Sequence, residues 1–161
     1  MNQDSDDLSG MKILVVDDVV QNIEILLQIL KLQNYQLSFS NSGVKALELA
    51  PKFLPDLILL DVMMPEMDGF ETCRSLKADE VTRDIPIIFI SAKTEAEDVI
   101  KGFEEGGVDY ITKPFNLGEV RVRVATQLRL RKILKDKDNQ ISELKDTIKR
   151  QSGNLNELGK S

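Results

Sequence analysis

The sequence predicts an α/β fold, a doubly wound parallel sheet of five strands with helices on both faces. Short β-branched or leucine-rich runs alternate along the chain with longer segments of helical period, as in consecutive β-α units. Three of the runs, KILVV, LILL and IIFI, are apolar without alternation. Such runs are typical of strands that helices cover on both sides, so these three should be central in the sheet.

Each of the five strands is placed on one of the short apolar or β-branched runs. Pro86 opens the fourth run, and the first position of a strand tolerates its missing N–H. The pattern predicts five successive β-α units, whose sequences do not repeat one another. The predicted strands span residues 12–16, 36–40, 57–60, 87–90 and 109–111.

Helices are predicted between the strands because apolar residues recur there at intervals of three and four. Ser42 is a start signal for the second helix, and the pair Gly106 and Gly107 is a stop signal for the fourth. The recurring apolar positions are Ile23, Leu26, Leu27 and Leu30 in the first helix, Val44 and Leu47 in the second, and Val99 and Phe103 in the fourth.

Beyond Asn116 the strand signals cease, and one helical pattern runs from about Leu117 to Arg150. Its apolar residues follow heptads, which favours a two-stranded coiled coil. A single amphipathic helix that packs on its own domain or frays in water is the alternative, and Gly153 and Gly159 predict that order fades near the end. One heptad position holds Leu134, Ile141, Ile148 and Leu155, and the other holds Leu130, Leu144 and Leu158, with Lys137 and Gln151 as polar breaks.

These patterns divide the chain into a disordered leader (1–10), an α/β domain (11–129) and a coiled-coil extension (130–161) that frays at its end. Charge supports two pieces with different roles. Through Phe115 there are 10 Lys and Arg against 21 Asp and Glu, whereas from Asn116 onward there are 11 against 6. The second piece contains no aromatic residue and interleaves its acidic and basic residues, so contact with nucleic acid is not expected.

Composition excludes several classes of protein. The apolar runs fall far short of the roughly 20 residues that span a membrane, and the start MNQDSDD lacks the basic flank of a signal peptide. We therefore expect a cytoplasmic protein that does not enter the membrane. There is no histidine, and Cys73 is the single cysteine. An internal disulfide, the usual zinc ligand sets and histidine general-base catalysis are thereby excluded.

Candidate functional residues follow the predicted strands. In an open parallel sheet, ligands bind at the carboxyl ends of the strands. The first strand is followed by Asp17 and Asp18, the third by Asp61, the fourth by Ser91, and the fifth, two residues on, by Lys113. Three neighbouring carboxylates need a cation to stay ionised together, and Mg²⁺ prefers such oxygen ligands. A carboxylate can also accept a phosphoryl group as a nucleophile, helped by the cation, the amine and the hydroxyl.

At these residues the chain resembles the receiver domain of bacterial two-component response regulators, over about residues 11–129. The matching segments are KILVVDD (12–18), LILLDVMMPEMDGFE (57–71), PIIFISA (86–92) and DYITKPF (109–115). Their order and spacing together make the resemblance specific. It implies a flavodoxin-like fold with strand order 2-1-3-4-5 and a role in phosphorelay signalling, with a sensor histidine kinase or a histidine phosphotransfer protein as the partner.

The resemblance also implies a role for each site residue. Asp61 would be the phosphoacceptor, and Asp17 and Asp18 would hold Mg²⁺ with Asp61 and the backbone carbonyl of Met63. Lys113 would pair with the phosphate. Asp61, Lys113 and Ser91 would thus carry the chemistry, without the turnover of an enzyme.

Ser91 and Tyr110 would form the switch, according to the same resemblance. The hydroxyl of Ser91 would move toward the phosphoryl group, and the ring of Tyr110 would turn inward as it does. The signal would leave through the last helix, strand and helix and the C-terminal extension, through which the chain would form a homodimer. Met63 and Lys93 occupy positions that tune phosphoryl lifetime in the family, and neither obviously positions a water, so slow self-dephosphorylation is expected.

Three alternatives stay open at this point. A Mg²⁺-dependent phosphatase of similar layout needs a second carboxylate two residues after its nucleophile, and that position here is Met63. A degenerate receiver that only binds proteins would not need the full set of acidic residues, serine and lysine. The chain could also be the receiver fragment of a larger hybrid signalling protein, and the sequence does not reveal its output.

Overall fold

The computed structural model describes residues 7–92 and 96–159 of the chain. Strands and helices alternate from β1 onward, as the sequence pattern predicts. The elements are β1 (Lys12–Val16), α1 (Val20–Lys31), β2 (Gln36–Ser40), α2 (Gly43–Phe53), β3 (Leu57–Asp61), α3 (Gly69–Ala78), β4 (Ile87–Ser91), α4 (Ala96–Glu104), β5 (Asp109–Thr112) and α5 (Leu117–Leu158).

All five strands pair in parallel, in the order β2-β1-β3-β4-β5. The predicted fold class and strand order are therefore confirmed. The strands β1, β3 and β4 lie inside the sheet, and all of their residues are buried except Lys12, which is half-buried at the start of β1. Continuous apolar runs belong at these positions because helices pack on both faces.

Two hydrophobic clusters form the core, one on each face of the sheet. On one face, β-strand side chains pack against α1 and the first turns of α5, through residues such as Leu26 and Val124. On the other face they pack against α2, α3 and α4, through residues such as Ala46, Phe70 and Val99. Leu8, which lies in the predicted leader, is 7% exposed and joins the first cluster, whereas residues 1–6 lie outside the described residues.

Three strands end one residue later than the apolar pattern predicts, at Asp61, Ser91 and Thr112. The correction has a simple physical reason, because backbone pairing continues past the last apolar side chain. Asp61 pairs with Ile90, and Ser91 pairs with Thr112. Two predicted site residues are therefore the terminal residues of strands, held by the sheet itself.

Capping residues mark the first residues of α2 and α3. Ser42 is the N-cap of α2, where its side chain accepts a hydrogen bond from the backbone N–H of Lys45 at 3.2 Å. Asp68 caps α3 in the same way by accepting from the N–H of Glu71 at 2.8 Å. Such caps satisfy N–H groups that have no partner within the helix.

The long helix α5 crosses the boundary between two compact units, which lies between Arg129 and Leu130. It continues past the predicted end at Arg150, through Gly153, because one glycine weakens a helix by only about 1 kcal/mol relative to alanine. The second unit carries an apolar stripe whose side chains are 50% to 70% exposed; Leu158 of the same heptad pattern has a side chain outside the described residues. The stripe consists of Leu130, Leu134, Ile141, Leu144, Ile148 and Leu155.

Cys73 lies in α3 and is fully buried. Its thiol donates a hydrogen bond to the carbonyl oxygen of Glu105 at 3.3 Å, and burial raises its pKa to about 11. The thiol is therefore neutral near pH 7, and only the thiolate reacts rapidly. We expect a chromogenic disulfide reagent to modify the native protein slowly and the urea-unfolded protein at the rate of a free thiol. Equal rates in both states would contradict this prediction.

Candidate phosphoryl and metal site

The predicted site residues come together at one edge of the sheet. Asp17 directly follows β1, Asp61 ends β3, Ser91 ends β4, and Lys113 directly follows β5. These four strands are consecutive in the sheet, so their carboxyl ends lie side by side. The topology alone thus brings together residues that are up to 96 positions apart in the chain.

Three carboxylates form the centre of this edge. One oxygen from each of Asp17, Asp18 and Asp61 lies within 4.8 Å of the others. Asp17 and Asp61 are buried, whereas Asp18 is half-buried. The oxygens Asp17 Oδ2 and Asp61 Oδ1 are both buried, and neither accepts a well-formed hydrogen bond from the part of the chain that the structure describes. A hard divalent cation such as Mg²⁺ fits this donor set, since it takes carboxylate oxygens in its shell.

Lys113 brings one positive charge to the three carboxylates. Its Nζ lies 3.2 Å from Asp17 Oδ2 and 3.3 Å from Asp61 Oδ1. Its backbone N–H donates to the carbonyl oxygen of Ser91 at 3.0 Å, which fixes the start of its side chain beside β4. The peptide bond to Pro114 is cis. The amine of Lys113 therefore bridges the ends of β1 and β3, while the backbone of Lys113 is hydrogen-bonded to the end of β4.

The excess of negative charge at the site affects the pKa of Asp61. Burial and, after it, the neighbouring Asp17 carboxylate raise the pKa of Asp61 from its ordinary value of 3.8 to about 7, although Lys113 opposes the shift. One ammonium group does not neutralise this cluster. An added divalent cation would favour the ionised form, because it brings the missing positive charge.

The loop between β3 and α3 packs closely against the backbone of Asp61. Gly69 donates its N–H to the carbonyl oxygen of Val62 at 2.9 Å. A Cβ at Gly69 would collide with the carbonyl oxygen of Asp61 and lie 2.8 Å from the Cα of Val62, and neither backbone atom can give way easily. The side chain of Met63 in this loop is 57% exposed, so only its backbone is a candidate for the site.

Ser91 and Tyr110 lie on the same side of the sheet. Ser91 is 1% exposed, and Phe89, two residues earlier in β4, points to the same face. The ring of Tyr110 packs against Phe89 with centroids 5.6 Å apart, and its hydroxyl donates to the carbonyl oxygen of Asp98 in α4 at 2.8 Å. Burial raises the pKa of Tyr110 to about 12. The tyrosine is thus turned inward and contacts α4.

The structure gathers Asp17, Asp18, Asp61 and Lys113 into one cluster and places Ser91 on the adjoining strand end. Tyr110 packs against Phe89 and α4, and Lys93 lies outside the described residues. Gly102 in α4 is not singled out by the sequence pattern, although it packs against Tyr110. A glycine within a predicted helix is the one signal in the sequence that points to it, because such a residue often marks close packing.

Comparisons with known proteins agree with this geometry. The chain matches the response regulator receiver domain over residues 13–125. It is 46% identical over 121 residues to the response regulator PleD of Caulobacter vibrioides, a match that covers 74% of this chain and 27% of PleD. It is also 39% identical over 153 residues to a probable cyclic di-GMP phosphodiesterase of Vibrio cholerae, covering 95% of this chain and 34% of that protein.

A solved structure shows the same fold. The receiver domain of a sensor histidine kinase from Pseudomonas aeruginosa, with a magnesium ion coordinated in its active-site cleft, is 29% identical, with a TM-score of 0.68. The match covers 75% of this chain and 98% of that one. The chain spans between about a quarter and about a third of the length of the two curated relatives named above. Taken together, the family match, the strand order and the site show that this chain belongs to the receiver domains of two-component response regulators.

Proposed function

We propose that this receiver accepts a phosphoryl group on Asp61 from a phosphohistidine of a sensor kinase or a phosphotransfer protein. The observation that carries the proposal is the cluster of three carboxylates within 4.8 Å, two of them 3.2 and 3.3 Å from the Nζ of Lys113. A carboxylate nucleophile beside a cation site and a lysine is the arrangement that phosphoryl transfer to aspartate requires.

The transfer exchanges one bond for another. An oxygen of Asp61 forms a bond to phosphorus as the bond from phosphorus to the donor's histidine nitrogen breaks, and the donor leaves as a neutral imidazole after it takes up a proton. Asp17, Asp18, Asp61 and the carbonyl of Met63 would hold Mg²⁺, which when bound supplies positive charge for the phosphoryl oxygens. Lys113 pairs with one of these oxygens and gives up part of its contact with the Asp61 carboxylate.

Ser91 and Tyr110 couple phosphorylation of Asp61 to a change of the α4-β5-α5 face. The new phosphoryl oxygens accept a hydrogen bond from the hydroxyl of Ser91 and draw it toward Asp61. Phe89 and Tyr110 share the face of the sheet with Ser91, so this movement favours the inward position of Tyr110 against α4. The face formed by α4, β5 and α5 then differs between the two states, as a two-state switch requires.

The output is carried by a homodimer through the α4-β5-α5 face and the C-terminal part of α5. On the first surface, Ile100, Phe103 and Val122 are exposed apolar residues, 56%, 49% and 66% accessible. On the second, the apolar stripe supplies six exposed residues in heptad spacing. The described helices include none that is long and apolar enough to cross a membrane. We place the activity in the bacterial cytoplasm, as signal transduction with slow self-dephosphorylation and without enzymatic turnover.

The chain acts as the receiver part of a signalling protein whose output lies elsewhere. The relatives named above are three to four times longer than their match to this chain, and one of them is named for an enzymatic activity. The match to the Vibrio cholerae protein covers 95% of this chain and so includes most of the helical extension. A helix that both ends a receiver and continues in heptads suits a connection to a following domain.

Labelling with acetyl phosphate tests the proposal. We expect the wild-type chain to gain one phosphoryl group in the presence of Mg²⁺, as measured by intact-protein mass spectrometry, and the Asp61→Asn variant to gain none. Asp68→Asn is the matched control because it removes a carboxylate from the same loop, and asparagine caps a helix as well as aspartate does. Labelling of Asp61→Asn, or wild-type labelling that is unaffected by EDTA, would show that the assignment is wrong.

A further inference from the structure

Gly102 lies in the last turn of α4, directly against the ring of Tyr110. A Cβ at this position would lie 2.6 Å from Cε2 and 2.9 Å from the hydroxyl oxygen of Tyr110, and 3.1 Å from Cδ2 of Phe89. The first two distances are shorter than any ordinary carbon contact. The inward position of Tyr110 therefore needs a residue without a side chain at position 102.

Of the groups that meet at this point, the ring of Tyr110 is the one that can leave. The Cα of Gly102 is held by the hydrogen bonds of α4, and Phe89 is fully buried between Phe70 and Tyr110, at centroid distances of 5.3 and 5.6 Å. Tyr110 is 9% exposed, and its hydroxyl is bound to the carbonyl oxygen of Asp98 in α4. A rotation about its side-chain bonds would carry the ring outward.

The preceding turn of α4 holds the tyrosine hydroxyl. Asp98, whose carbonyl oxygen accepts the hydrogen bond from Tyr110, precedes Gly102 by four residues and lies one turn away on the same face. Gly102 thus leaves space for the ring of Tyr110, and Asp98 binds its hydroxyl. This face of α4 therefore accommodates the inward tyrosine at both its ring and its hydroxyl.

We propose that Gly102 is a positioning residue that permits the inward conformation of Tyr110 and so sets the balance between its inward and outward positions. The consequence for signalling rests on the proposed function, in which phosphorylation favours the inward ring. A methyl group at position 102 opposes that conformation and weakens the coupling between the site at Asp61 and the α4-β5-α5 face.

Tyrosine fluorescence measures the position of the ring directly. The chain has two tyrosines and no tryptophan, so Tyr35→Phe leaves Tyr110 as the single emitter. In this background we expect Gly102→Ala to raise the quenching of Tyr110 by acrylamide, because the ring becomes accessible. Gly118→Ala is the matched control, since Gly118 is also helical and its Cβ would meet only Asn116 Oδ1 at 3.4 Å. Unchanged quenching in a folded Gly102→Ala protein would overturn the proposal.

A double-mutant cycle separates the ring of Tyr110 from other neighbours of Gly102. In an open helical position, Gly→Ala stabilises the helix. We expect Gly102→Ala to lower the melting temperature when Tyr110 is present and to raise it in a Tyr110→Ala background. If the substitution lowers the melting temperature equally in both backgrounds, the clash lies with Phe89 or the backbone, and the proposal is wrong.

The link to phosphorylation is tested by Mg²⁺ with beryllium trifluoride, a mimic of the phosphoryl group. In the Tyr35→Phe protein the mimic should reduce the quenching of Tyr110, whereas with Gly102→Ala the ring should stay accessible. If the mimic buries the ring equally in both proteins, the coupling role of Gly102 is refuted. If it has no effect even in the Tyr35→Phe protein, the proposed function of Asp61 fails, while the quenching difference without the mimic still decides the role of Gly102.

Discussion

In the absence of divalent cations, Asp61→Asn is expected to be more stable than the wild type at pH 8, by up to a few kcal/mol, and the difference should shrink toward pH 4. The pKa of Asp61 is raised from 3.8 to about 7 in the folded state, chiefly by burial. One pKa unit corresponds to about 1.4 kcal/mol, so the full shift sets an upper limit for this effect. Asparagine has a similar shape and no charge to bury.

The direction of the pH dependence follows from proton binding. Between pH 4 and pH 7 the folded state keeps a proton on Asp61 that the unfolded state has already released. Stability is therefore lost as the pH rises through this range. Urea unfolding of both proteins in EDTA, at several pH values, measures the difference. Parallel pH profiles for wild type and Asp61→Asn would contradict the raised pKa.

Magnesium should narrow the difference in stability between the two proteins at pH 8. A cation that binds only the folded state stabilises it by mass action, and it binds the ionised carboxylates. We expect added Mg²⁺ to raise the wild-type unfolding free energy at pH 8 and to have a smaller effect on Asp61→Asn. Asp68→Asn, whose carboxylate caps α3 outside the cluster, should behave like the wild type in both conditions.

The second large effect is expected at the apolar stripe of α5. Ile141→Asp should weaken the proposed homodimer by at least about 100-fold, since a charge buried in the interface without a partner costs several kcal/mol. Ile141 is 50% exposed in the single chain and occupies the centre of the stripe. Ser142→Asp adds the same charge one residue away, off the stripe, and should leave the dimer intact. Sedimentation equilibrium of the three proteins measures the dissociation constants.

In the proposed homodimer, the polar breaks in the stripe favour a parallel pairing of the two helices. Lys137 and Gln151 share one heptad position with leucines, whereas the other position is apolar throughout. A parallel pair in register places each polar residue against its own copy, as in known coiled coils with register-setting polar layers. An antiparallel pair would place both against Leu or Ile. Equal masses for wild type and Ile141→Asp, both monomeric, would remove the dimer from the proposed function.

Much of the fold is predictable from the sequence because it depends on local patterns. Continuous apolar runs specify buried strands, and Ser42 marks a helix start whatever the rest of the chain does. The gathering of Asp17, Asp61 and Lys113 follows from strand topology, which the resemblance to receiver domains implies. Their roles in phosphoryl transfer stay predictions until labelling is measured.

Other features depend on packing distances that no residue pattern contains. The contact between Gly102 and Tyr110 arises where α4 meets β5, and the raised pKa of Asp61 depends on its depth and on the distance to Asp17. Three strands extend one residue beyond their apolar runs because hydrogen bonding between strands continues past the last apolar side chain. The burial of Leu8 likewise depends on its packing in the first hydrophobic cluster rather than on the polar sequence around it.

The burial of Cys73 has a practical consequence for work on this switch. Because the only native thiol is enclosed in the core, a cysteine introduced on the surface would be the single site open to a spin label or a maleimide dye. Probes on α4 and along the heptads can therefore be attached to an otherwise wild-type receiver. In the proposed homodimer, distances between probes on the two copies would then report whether the labelled surfaces move when a phosphoryl mimic binds at Asp61.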